Sequence, residues 1–288
     1  MKPNIIFILL DGSRWDRLHI SPEFSKLKKD GTLLTNVTTT APYTFASMNS
    51  IFTGLYGKES GVNAYYKMFR LKDSVNYLPE ILSKNGYYTS CDLISEKVIS
   101  SRGFDLYQSH DEYKDDLTIR HPRLIEDSLK KANGKPIFLF LQFSRIHTVT
   151  VSEVLKKYEW DDKKYYKKKE ENLKTYDDVF LEATKYAIKI KNTIEKLNML
   201  ENTILIFFSD HGTGIGERFG ERNYGVFLHE ETIRTIYLFI SPKIKTNQGS
   251  VKVEIKGVLV RDYDGKFETT ALKKFMRSIY EKWVIPTR

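Results

Sequence analysis

The sequence predicts an α/β fold with a mostly parallel central sheet and helices on both faces of that sheet. Two short apolar runs, Asn4–Leu10 and Thr203–Phe208, are bounded by turn residues, and this pattern is typical of strands buried on both faces of a parallel sheet. Apolar side chains at helical spacing across residues 176–200 predict one long amphipathic helix that leads into the second strand. Such a helix fixes the position of the strand that follows it.

An acidic residue follows each of the two strands, and a histidine also follows the second. The first strand runs into Asp11, and the second runs into Asp210 and His211. Open α/β sheets bind their ligands at the carboxyl ends of the strands, so these side chains can meet at one edge. Two acids and an imidazole suit a hard or borderline divalent cation. The alternative is that Asp-Gly and Asp-His-Gly are only the turns that end the strands.

The segment 41–56 is predicted to form a helix. Pro42 keeps the residue before it extended, and Gly54 lies close to where the helix would stop. Apolar side chains recur after Pro42 at Phe45, Met48, Ile51, Phe52 and Leu55.

Thr44 is thereby placed at the N-terminus of this helix, where two roles remain open. Its hydroxyl could act as an N-cap that satisfies an orphan backbone N–H. It could instead be a nucleophile, because the positive end of the helix would stabilise its alkoxide and hold a phosphate or sulfate dianion.

Composition is that of an ordinary globular protein with one domain. The 288 residues are 41% hydrophobic and 29% charged, enough to bury a full α/β core. The single cysteine, Cys91, excludes an internal disulfide framework and is expected to be a buried, inert thiol. The apolar run before Asp11 is too short for a signal peptide or a transmembrane segment, so we expect a cytoplasmic protein.

The net charge is +9, and lysines cluster in the segment 161–171. Acids flank these lysines, which favours a solvated insertion. The alternative is a lid that attracts a polyanionic or nucleotide-linked substrate. Nucleic-acid binding is not expected, because no recognisable module accompanies the lysines and the nearby aromatic residues are too few to stack bases.

Four blocks in this order resemble the sulfatase-like branch of the alkaline phosphatase superfamily. They are residues 4–18, 41–56, 135–143 leading to His147, and 208–212. Weaker similarity lies in 78–89, a helix and strand, and in the turn 102–105. The resemblance covers about residues 3–243 and implies an alkaline phosphatase/sulfatase-like fold over one catalytic domain, 1–288.

The resemblance implies roles for individual residues. It assigns Asp11, Asp210 and His211 to one divalent metal ion, which could be Zn, Mn, Mg or Ca. Thr44 matches the nucleophile and would also touch the metal. His147 matches a histidine that binds substrate.

Three departures from the sulfatase pattern favour phosphate esters. Threonine at position 44 cannot be matured into formylglycine, and Met48 stands where sulfatases have an arginine. Only one acid precedes Gly12, where calcium-binding sulfatases tend to have two. The segment 217–227 lacks the histidine that many relatives use for a second metal, and Tyr224 stands near its place. The pattern resembles the single-metal threonine phosphotransferases of the family.

We therefore expect a metal-dependent hydrolase or transferase of phosphate esters that acts through a covalent Thr44 intermediate. Arg14 is a candidate for charge neutralisation and His147 for protonation of the leaving group, although a salt-bridge role and a loop role are open alternatives. His229 is expected to be structural. The substrate would be a small-molecule, glycan-linked or lipid-linked anionic ester. The alternatives are a sulfuric ester hydrolase and a catalytically inactive binding homologue.

The C-terminal region, 244–288, is shorter than is usual in the family. Residues 232–242 predict a further buried strand, 251–257 alternate between apolar and polar residues, and a basic helix is expected to end near Trp283. Because this region is shortened, it leaves the substrate specificity open.

Overall fold

A computed structural model describes residues 2–63, 71–150, 156, 158–159, 161–242, 244 and 258–259. The strands are β1 (Asn4–Leu10), β2 (Thr32–Thr39), β3 (Tyr88–Leu93), β4 (Leu106–Ser109), β5 (Ile137–Phe143), β6 (Thr203–Phe208), β7 (Arg234–Ile240) and β8 (Val258–Leu259). The helices are α1 (Pro22–Leu27), α2 (Thr44–Thr53), α3 (Gly57–Ser60), α4 (Leu78–Lys84), α5 (Leu117–Ala132), α6 (Arg145–Thr150), α7 (Lys163–Lys167), α8 (Lys169–Lys196) and α9 (Glu230–Ile233). Short 3-10 turns cover Trp15–Ile20, Lys28–Asp30 and Leu200–Asn202.

The eight strands form one sheet in the order β4-β3-β5-β1-β6-β7-β2-β8. The five strands from β4 to β6 are parallel, whereas β7 is antiparallel to both β6 and β2, and β8 is antiparallel to β2. β1 lies at the centre between β5 and β6. The predicted mixed α/β fold with a mostly parallel sheet is confirmed.

Alternate side chains of β1 enter two different cores, as the two-residue period of a strand requires. Ile6 and Ile8 pack in the core that contains side chains of α1, α5 and α8. Phe7 faces the other core, which contains side chains of α2 and α4 and where the rings of Phe7 and Phe52 stack at 6.1 Å. The sheet is therefore covered by helices on both faces.

α2 forms where the sequence predicts it. Tyr43 before it is extended, with φ −157° and ψ 150°, and the helix begins at Thr44. Gly54 closes the helix at φ +67°, and its N–H donates to the carbonyl of Ser50 at 2.8 Å. Because this left-handed conformation is costly for other residues, glycine suits the position.

Two predicted boundaries were wrong. α8 begins at Lys169 rather than near Tyr176, because acids in its first turn complement the positive end of the helix. The predicted strand 232–242 is shorter, since α9 precedes it and β7 begins only at Arg234.

The lysine-rich segment 161–171 is helical, and its lysines are exposed, as expected for a solvated insertion, whereas Tyr165 is half-buried. The side chain of Asp162 accepts the N–H of Lys164 and caps α7. The hydroxyl of Tyr165 donates to the carbonyl of Gly214 at 3.2 Å, and the guanidinium of Arg222 lies 4.4 Å from the Tyr165 ring centroid. This segment therefore contacts the loop that follows β6.

Cys91 is fully buried in β3, as expected, and burial raises the pKa of its thiol. Residues 251–257 and the predicted helix near Trp283 lie outside the described residues. Among the residues that are described, no helix is long and apolar enough to cross a membrane. The domain limits and the cellular location stay predictions.

Candidate metal centre

The register of β1 and β6 brings their C-terminal acids together. Leu9 pairs with Phe208 in this parallel pair. Asp11 and Asp210 each follow two residues later, so they leave the sheet side by side at its carboxyl edge. His211 comes directly after Asp210 and lies at the same edge.

Four side chains converge at this edge. Nε2 of His211 lies 3.1 Å from the Thr44 hydroxyl, 3.5 Å from Oδ1 of Asp11 and 3.6 Å from Oδ2 of Asp210. The Thr44 hydroxyl lies 3.4 Å from each carboxylate oxygen of Asp11. The structure thus brings together every residue that the sequence analysis assigned to the metal.

The chemistry of this cluster fits a divalent cation. Asp11, Asp210 and His211 are all buried, and neither Asp210 oxygen has a hydrogen-bond partner among the described residues. Burial, and then the charge of Asp210, raise the pKa of the Asp11 carboxyl well above its usual range. Two buried acids side by side are unfavourable unless a cation compensates them.

The tautomer of His211 also suits a metal ligand. Its Nδ1–H donates to the carbonyl of Gly212 at 2.8 Å. The lone pair of Nε2 is therefore directed at Thr44 and the two acids. A backbone acceptor on the outer ring nitrogen is the usual way in which proteins orient a metal-binding histidine.

Thr44 does not cap its helix, so the N-cap alternative was wrong. Tyr43 occupies the N-cap position, and Thr44 is the first helical residue. The half-buried Thr44 hydroxyl instead faces Asp11 and His211. The residue as a whole is only partly buried, and its hydroxyl contacts the acidic cluster.

Ser47, one helical turn further on, has a different environment. It is fully buried, and its hydroxyl donates to the backbone carbonyl of Asp210 at 2.8 Å. It also lies 2.7 Å from the hydroxyl of Thr39. Ser47 therefore joins α2 to the end of β6 and is not accessible to a substrate.

His147 lies on α6 and reaches the centre through Tyr224. The Tyr224 hydroxyl is hydrogen-bonded with Nε2 of His147. The buried Tyr224 ring lies 4.6 Å from the ring of His211 and 5.0 Å from that of His147. Tyr224, which stands near the place where many relatives have a second-metal histidine, therefore contacts the imidazoles of both His147 and His211.

Of the two roles left open for Arg14, the structure favours the salt-bridge role. Its guanidinium is buried and donates to both carboxylate oxygens of Asp16, at 2.9 and 2.8 Å, and to the carbonyl of Thr213 at 3.0 Å. It is also paired with Glu217. Because these groups use all three guanidinium nitrogens, Arg14 supports the loop after His211 rather than facing Thr44.

Sequence analysis missed Gln142. This residue is fully buried in β5, and its Nε2 donates to Oδ2 of Asp11 at 2.7 Å. The available signal was weak, since Gln142 is the one polar residue in the otherwise apolar run Ile137–Phe143.

A second buried cluster also has metal-ligand residue types, namely Asp92, His110 and His121. Its carboxylate is already paired, because Arg120 and His110 both bind Asp92. Burial alone would raise the pKa of Asp92, but the hydrogen bonds from His110 and Arg120 lower it. Burial lowers the pKa of His121 to about 3, so this ring is neutral. The cluster has no charge that requires a metal.

Comparisons with known proteins agree with this geometry. The sequence model of the Sulfatase family matches residues 3–256. The chain belongs to the Sulfatase family. The resemblance seen in the sequence is thereby confirmed.

Solved structures show the same fold. The chain is similar to BT1596, a 2-O GAG sulfatase, with 15% identity and a TM-score of 0.67 over 88% of this chain and 67% of that chain. It is similar to the C-terminal periplasmic domain of the phosphoethanolamine transferase EptC from Campylobacter jejuni, with 16% identity and a TM-score of 0.62 over 84% and 80% of the two chains. Ps i-CgsB matches at 18% identity with a TM-score of 0.61 over 84% of this chain.

The chain spans only 66% of the length of Ps i-CgsB. No curated protein matches the chain. Members of the Sulfatase family typically bind a divalent metal, and this chain has a residue group that could hold one.

Proposed function

We propose that this Sulfatase-family protein is a divalent-metal-dependent enzyme that hydrolyses or transfers phosphate esters through a covalent intermediate on Thr44. The observation that carries the proposal is the position of the Thr44 hydroxyl, 3.1 Å from His211 Nε2 and 3.4 Å from the Asp11 carboxylate. A nucleophile, two acids and an imidazole at the edge of a parallel sheet form the constellation expected for metal-assisted ester cleavage.

Asp11, Asp210, His211 and Thr44 are the residues that would hold the cation. When bound, a divalent ion there would polarise the ester and lower the pKa of the Thr44 hydroxyl. The N-terminus of α2 adds a second source of positive potential, because the first turn of a helix has backbone N–H groups without intrahelical acceptors. Together these features favour a substrate that carries negative charge beside Thr44.

The proposed reaction has two displacement steps. The Thr44 hydroxyl gives its proton to solvent, Oγ1 attacks phosphorus, the bond from phosphorus to the leaving alcohol breaks, and the alcohol takes a proton from protonated His147. The hydroxyl of Tyr224, hydrogen-bonded with His147, supports this proton transfer. Water or an acceptor hydroxyl then gives its proton to neutral His147 and attacks phosphorus, the bond between phosphorus and Thr44 breaks, and Oγ1 of Thr44 takes a proton from solvent. Water as acceptor gives hydrolysis, and an acceptor alcohol gives transfer.

The substrate class follows from the residue types. Threonine cannot provide the formylglycine hydrate that releases sulfate from a sulfatase, and a sulfated threonine would need direct S–O cleavage. BT4656 has been solved with the sulfated sugar D-glucosamine-2-N,6-O-disulfate, and EptC is a phosphoethanolamine transferase. A small-molecule, glycan-linked or lipid-linked anionic ester is therefore the proposed substrate. The family and its sulfatase neighbours favour a sulfuric ester hydrolase as the second candidate.

A panel of aryl esters tests the proposal. Metal content of the purified chain is measured first, and steady-state rates are then compared for an aryl phosphate, an aryl phosphodiester and the matching aryl sulfate. We expect one of the phosphate esters to turn over at least ~100-fold faster than the sulfate ester, about 2.7 kcal/mol of barrier. Sulfate cleavage at an equal rate would support the second candidate, and turnover of none of the three by metal-loaded protein would support an inactive homologue.

A further inference from the structure

The amide of Gln142 is held at both ends inside the sheet. Its Nε2 donates to Oδ2 of Asp11 at 2.7 Å, and its Oε1 accepts the backbone N–H of Ile94 at 3.1 Å. β5, which carries Gln142, lies between β1 and β3, and the side chain is fully buried. Because both ends of the amide are used, its orientation is fixed, with the N–H pointing at Asp11.

This hydrogen bond makes the two oxygens of Asp11 unequal. Oδ2 receives the amide N–H of Gln142, whereas Oδ1 lies 3.5 Å from Nε2 of His211. A carboxylate that binds a cation through both oxygens needs the adjacent lone pairs of both. Because one lone pair of Oδ2 already accepts a buried donor, Oδ1 is the oxygen of Asp11 with more lone-pair capacity left for a metal.

We propose that Gln142 is a positioning residue that restricts Asp11 to one ligand oxygen and thereby makes the centre prefer a small four-coordinate cation such as Zn²⁺ over Ca²⁺. The proposal rests on the proposed metal-binding role of Asp11, and it adds a residue that sets the metal preference of the site.

The spacing of the donor atoms supports a four-coordinate ion. Donors around a tetrahedral Zn²⁺ with ~2.0–2.1 Å bonds lie about 3.3–3.4 Å from one another. Thr44, Asp11 and Asp210 donor atoms lie at 3.1, 3.5 and 3.6 Å from Nε2 of His211, and Thr44 lies 3.4 Å from Asp11. Four of the six donor pairs in this cluster therefore already have close to tetrahedral spacing.

Ca²⁺ requires a different donor set. It takes about six to eight oxygen ligands, often with bidentate carboxylates. The cluster has four side chains, one donor is the nitrogen of His211, and Gln142 takes one oxygen of Asp11. Each of these features reduces the number of oxygens available to Ca²⁺, whereas imidazole nitrogen and single carboxylate oxygens suit Zn²⁺.

Two variants of Gln142 separate this role from a structural one. Gln142→Met keeps the approximate length and volume of the side chain but removes the amide. Gln142→Glu keeps an oxygen that can accept the N–H of Ile94 and replaces the amide donor to Asp11 by a second oxygen. This variant also keeps the proposal testable if Gln142→Met does not fold. The matched control is Gln108→Met, since Gln108 donates an amide N–H to the Asp92 carboxylate at 3.1 Å in the second cluster.

The measurement is calorimetric titration of the full chain, freed of metal by a chelator, with Zn²⁺ and with Ca²⁺. We expect the wild-type protein to bind Zn²⁺ more tightly than Ca²⁺. Gln142→Met should weaken Zn²⁺ binding by about 10- to 100-fold, the usual effect of removing a residue that orients a metal ligand. Gln142→Glu should lower the ratio of Zn²⁺ to Ca²⁺ affinity by at least ~10-fold, and Gln108→Met should leave that ratio unchanged.

The outcomes separate this proposal from the proposed function. Wild-type Zn²⁺ affinity and an unchanged affinity ratio in both folded Gln142 variants would overturn the role of Gln142 alone. Metal binding as expected without turnover of any ester would overturn the proposed function alone. A wild-type protein that binds neither ion would overturn both.

Discussion

The hydroxyl of Ser47 donates to the backbone carbonyl of Asp210 at 2.8 Å. This hydrogen bond joins the first turn of α2 to the residue that presents a carboxylate at the end of β6. Because Thr44 lies one turn before Ser47 on the same helix, the bond sets the distance between the proposed nucleophile and the acidic cluster. The hydroxyls of Thr44 and Ser47 therefore have separate tasks, and substitution can distinguish them.

Thr44→Ala should abolish ester turnover and leave the fold intact. The hydroxyl makes no capping bond in α2, so we expect the free energy of unfolding to change by no more than about 1 kcal/mol. Turnover is measured on the best phosphate ester of the panel, and stability by chemical unfolding. Mass spectrometry of wild-type protein quenched during turnover should also find the added phosphoryl group on Thr44.

Ser47→Ala is the control for that variant. It removes the donor to the Asp210 carbonyl and should cost about 1–3 kcal/mol, because a buried acceptor loses its partner. Turnover should fall but remain measurable, since Ser47 only positions the ligand strand. Wild-type turnover in Thr44→Ala together with complete loss in Ser47→Ala would identify Ser47 as the nucleophile instead.

Tyr224→Phe should lower kcat by about 10- to 100-fold while metal affinity stays at the wild-type value. The variant keeps the ring against His211 and removes only the hydroxyl that is hydrogen-bonded with His147. Loss of that bond should impair protonation of the leaving group, so the defect should shrink for esters with more acidic leaving alcohols.

The control for Tyr224→Phe is Tyr165→Phe. It removes a hydroxyl bonded to the Gly214 carbonyl, in the same loop region but without contact to an imidazole. An equal kcat defect in both variants, independent of the leaving group, would show that Tyr224 acts only through loop packing.

Local patterns were sufficient to predict which side chains form the candidate metal cluster but not the residues that orient it. Short stretches of chain contain the apolar runs before Asp11 and Asp210 and the helix signals around Thr44. Parallel pairing of β1 and β6 then places the two acids side by side. Gln142 could not be assigned a role in this way, since its contact with Asp11 spans 131 residues and depends on which strand neighbours β1.

The choice between the two roles of Arg14 stayed open for the same reason. Its interaction with Asp16 is local, but its pairing with Glu217 joins positions 203 residues apart. A sequence can indicate that an arginine follows a metal-ligand motif, whereas only the tertiary fold shows which acids surround it. The boundary between α9 and β7 also depends on the tertiary fold, because the antiparallel pairing of β7 with β6 and β2 determines the residue at which the strand begins.

Glu221→Gln should remove a pH dependence from the stability of the protein. Glu221 is buried in the loop after β6, and neither of its oxygens has a hydrogen-bond partner among the described residues, although His229 Nε2 lies 3.3 Å from Oε2. Burial, and then the charge of Glu231, raise the pKa of Glu221 from 4.5 to about 7. Between these values the folded state binds more protons than the unfolded state, so the free energy of unfolding should fall as pH rises from about 4.5 to 7.

Chemical unfolding of wild type and Glu221→Gln at several pH values, under the same metal conditions, isolates this contribution as their difference. The variant should gain stability relative to wild type as pH rises through this window, and a difference that is independent of pH would show that Glu221 has an ordinary pKa.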